Sequence, residues 1–142
     1  MSNDGFETVH TMSDYYDGPR LGIADFHGSP HLYELIFDEE ADEYSSVYML
    51  TPIDDETFKL ALEDWAIWQR WQAAYYSGVT VSRTQCLAQD QPRHEEIQLI
   101  LEKRLKTDPR RAVKATADFQ PDPPWTGYNQ HPRFVRWTVV TS

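Results

Sequence analysis

Hydrophobic and polar positions along the first third of the chain follow a short period. Leu21 to Phe26 and His31 to Phe37 read as two strands, separated by His27-Gly28-Ser29-Pro30, a hairpin loop, and preceded by a turn at Asp17-Gly18-Pro19. The acidic stretch 38–44 reads as a solvated surface loop, and Val47 to Leu50 as a third strand that completes a meander. Residues 1–13 lack a clear period and read as a loose tail with at most a short strand at its end.

The period then lengthens. Phe58, Leu62, Trp65, Trp68 and Tyr75, with Ala61, Ile67, Trp71 and Tyr76 beside them, recur at helical spacing. Thr51-Pro52 with Asp54, Asp55 and Glu56 marks the start of this helix, because carboxylates suit the positive end of the helix dipole. The helix is expected from about Asp54 to Ser77, ending at Gly78. Its wide apolar stripe predicts a central position, with Trp65 and Trp68 in the core and one of Trp71, Tyr75 or Tyr76 partly exposed. Residues 78–90 read as a loop. A second helix opens at Asp90 and Pro92, buries Ile97, Ile100, Leu101 and Leu105, and stops at Asp108-Pro109. Lys103, Arg104 and Lys106 close it, where the dipole favours cations. Val113 to Phe119 and Phe134 to Val140 read as two more strands, joined by the turn-rich loop 121–132.

The order β-β-β-α-α-β-β predicts an α+β fold: a small antiparallel sheet with two helices, the first long and central. A length of 142 residues fits a single domain over 1–142. Five Trp, eight Tyr and six Phe supply enough buried area for a folded core. The single cysteine, Cys86, rules out an internal disulfide and multi-cysteine metal sites. The amino terminus has no signal-peptide pattern and no run suits a membrane span, so a cytoplasmic protein is expected.

Charge changes the picture most. Of the net charge of −10, residues 1–64 carry sixteen Asp/Glu against only Arg20 and Lys59, while the remainder is slightly basic. An acidic front half repels phosphate, so nucleic acid is not expected as a partner; a basic protein is. Acidity also serves plain solubility, and opposite charges on the two halves allow weak self-association.

Three stretches carry candidate chemistry. In the hairpin, Asp25, His27, His31 and Glu34 are acid–base or metal-ligand types. If the loop closes over Gly28-Ser29-Pro30, His27 faces His31, and Asp25 faces Tyr33. If it closes over Gly28-Ser29, His31 opposes Phe26 and the histidines point to opposite faces. Arg20 either pairs with Asp17, Asp25 or Glu34 or binds an anion. The aromatic residues Tyr16, Trp71, Trp125 and Tyr128 are candidates for contact with a ligand or partner, with His131 beside the last two. The adjacent Glu63 and Asp64 diverge on a helix and do not make a catalytic pair. Phosphate-binding, zinc-protease, serine-hydrolase and calcium-loop motifs are absent, and no cofactor or metal is implied.

The patterns YYDGPR…GIADF…G-x-PH-x-YE and LALEDWAIWQRW, within residues 14–71, resemble those of small uncharacterised bacterial proteins. That resemblance implies a bacterial, cytoplasmic, single-domain protein and assigns no activity or ligand. The function expected is a non-enzymatic module offering an acidic surface to a basic partner; the alternative is a small-molecule or metal-dependent binder or hydrolase built on residues 25–34.

Overall fold

A computed structural model of the chain describes residues 5–15, 19–80, 86–120 and 133–140. The fold is α+β, with one antiparallel sheet and two helices, the first the longer. The chain divides into two compact units: residues 1–53 with 107–142, and the inserted residues 54–106.

The first unit contains β1 (Glu7–Thr8), β2 (Asp14–Tyr15), β3 (Pro19–Phe26), β4 (Ser29–Asp38), β5 (Glu43–Pro52), β6 (Val113–Gln120) and β7 (Phe134–Val139). The sheet order is β1-β7-β6-β5-β4-β3-β2. The two edge strands are consecutive pieces of one segment, so the sheet closes on itself. Glu7 and Thr8 pair with β7, and the Val9 amide still donates to Arg133 O. Val9 also bridges Ala24, and the amides of His10, Thr11 and Ser13 donate to carbonyls of β3. Residues 7–13 of the segment expected as a loose tail are therefore the seam of a barrel-like sheet, with Val9 and Thr11 buried.

Alternation sets the interior. Ala24 and Phe26 of β3, Tyr33 of β4, Tyr48 and Leu50 of β5, Ala115 and Phe119 of β6, and Val135 of β7 form the core with Val9. The rings of Tyr33, Tyr48, Phe119 and Trp137 meet at centroid distances between 5.6 and 6.0 Å, mostly edge to face. Each interior hydroxyl is satisfied by a backbone carbonyl: Tyr33 donates to Thr11 O at 3.0 Å and Tyr48 to Pro19 O at 2.5 Å. Burial pushes both phenols well above the usual tyrosine range. Gly22 makes this arrangement possible, because a Cβ there would lie 2.3 Å from Thr11 O and 2.5 Å from the Tyr33 hydroxyl. The Trp137 indole N–H, on β7, donates to Asp25 O on β3 at 3.0 Å.

β4 and β5 are longer than their apolar runs suggest. Ser45 sustains the irregular pairing between Leu35 and Phe37: its hydroxyl donates to Ile36 O and accepts from the Val47 amide. Beyond it, Phe37 and Tyr44 pair across the strands.

The second unit is a helical hairpin. α1 (Asp55–Tyr76) starts where the carboxylates predict, with the Asp54 side chain accepting from the Thr57 amide at 2.7 Å. Pro52 belongs to β5, opposite His31, rather than to the first helical turn. α1 buries Thr57, Ala61, Ile67 and Trp71. After a 3-10 turn at Ala88–Asp90, α2 (Gln91–Arg104) buries Ile97 and Leu101. Its last residue comes before the expected stop at Asp108-Pro109.

Ion pairs with descending numbers align the helices antiparallel: Glu56 with Arg104, Glu63 with Arg93, and Arg70 with Asp90. Half-buried Asp64 accepts from His94 Nδ1 at 2.6 Å and Gln98 Nε2 at 2.7 Å. Arg93 holds the Glu63 carboxyl below its usual range, and Arg70 does the same for Asp90.

Candidate functional site

The β3–β4 hairpin closes in neither of the two expected registers. Phe26 pairs with Ser29, Asp25 with Pro30, and Ala24 with His31, so the loop is the two residues His27-Gly28. Both have positive φ, +53° and +78°, the signature of a tight hairpin turn that matches the twist of its strands. His27, rather than a second glycine, takes the first left-handed position. Its ring stacks on Phe26 at 4.0 Å, and the Glu7 carboxylate accepts from the amides of His27 at 3.1 Å and Gly28 at 2.7 Å. This support comes from twenty residues away, beyond the reach of local turn rules.

The register separates the four candidate groups. His27 is exposed in the turn. His31 is buried, its Nδ1 donating to Ser29 O at 2.8 Å and its ring set edge-on to Phe26. Asp25 does not face Tyr33; Tyr33 pairs with Gly22. Asp25 instead accepts from His10 Nε2 at 2.8 Å, a half-buried pair that the strand pattern did not single out. Glu34 accepts from the Thr107 hydroxyl. Among the described residues, no group of three or more His, Cys, Asp or Glu is placed to hold a metal ion.

The other candidates also find definite places. Trp71 is buried, with 7% of its surface exposed, and packs on Tyr75. Trp65 and Trp68 stack on each other at 4.8 Å and are half-buried, while Tyr76 is the exposed ring of α1. Tyr76 is thus the exposed ring among Trp71, Tyr75 and Tyr76, while Trp65 and Trp68, expected in the core, are less buried than Trp71. Cys86 is buried; burial and the nearby Asp90 and Asp64 carboxylates push its thiol up, which opposes thiolate chemistry. Tyr16, Asp17, Trp125, Tyr128 and His131 lie outside the described residues.

The opposite turn is built differently. Asp38 pairs with Glu43, and the Asp38 side chain accepts from the amides of Glu40 and Ala41, which folds residues 39–42 into a loop. Asp42 takes a left-handed conformation at φ +56°, which a short polar side chain tolerates. Glu39, Glu40, Asp42 and Glu43 are all exposed. They stand between Phe37 and Tyr44, whose rings meet edge to face at 5.1 Å and are each 43% exposed.

Beside this tip runs a groove of about 330 Å³ lined by Arg20, Leu21, Glu34, Leu35, Ile36, Phe37, Tyr44 and Met49. The Arg20 guanidinium lies over the Tyr44 ring, 4.8 Å from its centroid. One cation and one carboxylate leave the groove lining without net formal charge. The signal for this site was present in the sequence as FDEEADEY: a carboxylate run bracketed by two aromatics that share a face when the strands pair them, as Phe37 and Tyr44 are paired.

No helix among the described residues is long and apolar enough to cross a membrane. No protein-family model, curated protein or solved structure matches the chain.

Proposed function

We propose that the protein is a non-enzymatic interaction module that presents an acidic surface to a basic protein partner, with the tip of the β4–β5 hairpin as the contact. The observation that carries this reading is the exposed carboxylate run Glu39–Glu43 set between the half-exposed rings of Phe37 and Tyr44. Carboxylates in solvent attract and orient a cationic partner, and the flanking rings supply the apolar area that charge alone does not. The same carboxylates repel phosphate, so nucleic acid is not the partner. The reading includes residence in the cytoplasm, consistent with a single buried cysteine.

The test compares the wild-type chain with the variant Glu39→Gln/Glu40→Gln/Asp42→Asn/Glu43→Gln as baits in cell extract at about 0.1 M and about 1 M salt, where charges are screened beyond ~10 and ~3 Å. The wild type is expected to retain a basic protein at low salt only, and the variant to retain none. Retention that is unaffected by both salt and neutralisation contradicts the proposal. Concentration-dependent sedimentation without any partner would redirect it to self-association.

A further inference from the structure

The groove beside the acidic tip says more about the partner. At about 330 Å³ it lies at the small end of ligand sites, the scale of one large side chain rather than a nucleotide or extended cofactor. Leu21, Leu35, Ile36, Phe37 and Met49 make about half of its lining apolar, the other half is polar, and Arg20 and Glu34 balance in charge. An anionic ligand would meet Glu34 within the groove and four exposed carboxylates next to it. A cationic head group would gain from the tip, but inside the groove it would meet the Arg20 guanidinium and lose hydration against the apolar half of the lining. The occupant that suits both parts is a segment with an aromatic side chain followed by lysines or arginines.

We infer that the groove seats one aromatic anchor of the partner while the tip binds the basic residues beside it. This rests on the docking reading above and gives it a two-part recognition rule. Phe37 and Tyr44 belong to both parts: they line the groove and they bracket the carboxylates. An anchor in the groove is therefore adjacent to the charges that hold its neighbours. The charged part sets the rate of encounter and the apolar part sets the lifetime of the complex.

Two blocked synthetic peptides test the rule by calorimetry at low salt, one reading Trp-Lys-Arg-Lys-Arg and the other Ala-Lys-Arg-Lys-Arg. The indole peptide is expected to bind about tenfold more tightly, the fold-change that burial of a large apolar side chain supplies. In Phe37→Ser, which changes a half-exposed groove wall, the two peptides should bind alike. In the four-residue neutralised variant both should weaken together. Equal affinities in the wild type, lost on neutralisation, would overturn the anchor and leave the acidic docking surface standing. A preference for the indole peptide that survives Phe37→Ser would overturn the groove as its seat. If neither peptide binds, or if neutralisation changes nothing, the docking reading fails and takes the anchor with it.

Discussion

The two hairpins at the start of the barrel-like sheet are both rich in ionisable groups, and they use them in opposite ways. In the β3–β4 hairpin these groups, together with Glu7 of β1, are largely engaged by the structure itself. Glu7 holds the turn amides, His31 bonds to Ser29 O, and Asp25 pairs with His10. In the β4–β5 hairpin only Asp38 is engaged by the turn amides, and four further carboxylates face solvent between two half-exposed rings. A polar cluster in sequence therefore has two very different meanings. What distinguishes them is whether the backbone needs those oxygens and ring nitrogens.

The largest effect should come from breaking the inner face of the first hairpin. Gly22→Ala forces a Cβ against the Thr11 carbonyl, a backbone atom that cannot swing aside. We expect a loss of about 3 kcal/mol in urea unfolding. A wild-type midpoint would show that the seam between residues 9–15 and β3 is looser than described.

Tyr33→Phe should cost about 2 kcal/mol, since it strands the buried Thr11 carbonyl. The same tyrosine predicts alkaline behaviour. The folded chain holds the protons of Tyr33 and Tyr48 that an unfolded chain releases near pH 10. Stability should therefore be unaffected by these groups below about pH 10 and fall as pH rises above it. Tyrosine absorbance followed against pH should show two phenols that titrate only as the fold is lost. A single transition near pH 10 with the fold intact would contradict this.

Glu7→Gln should cost about 1 kcal/mol, because it weakens a charge-assisted cap on an exposed turn without moving it. Neutralising Glu39, Glu40, Asp42 and Glu43 together should change stability by no more than about 0.5 kcal/mol, as expected for exposed groups the fold does not use. Thermal unfolding of both variants measures the contrast. Equal losses would erase the distinction between the hairpins.

Local rules reached some of this structure and not the rest. The start of α1 was legible because Asp54 caps it within three residues, and its end because Gly78 follows its last turn. The strand order was legible from successive short apolar runs joined by turns. The closure of the sheet was not, because residues 7–15 have too few apolar positions to show a period and earn their place by pairing with strands far along the chain. The register of the first hairpin turned on a single residue. His27 in a left-handed conformation is uncommon, and the support from Glu7 and Phe26 that stabilises it has no local sequence signature. The charged tip was legible as an acidic surface loop, but the ring pair that flanks it was not, because that depends on the register that pairs Phe37 with Tyr44.

The central claim is that the β4–β5 tip and its groove form the contact surface while the β3–β4 turn is structural. Mapping backbone amide shifts during titration with the indole-bearing basic peptide tests it most directly. The account predicts perturbations concentrated at residues 35–44 and at Arg20, Leu21 and Met49, with residues 25–31 unmoved. Perturbations centred on residues 25–31, or none anywhere at low salt, would contradict it.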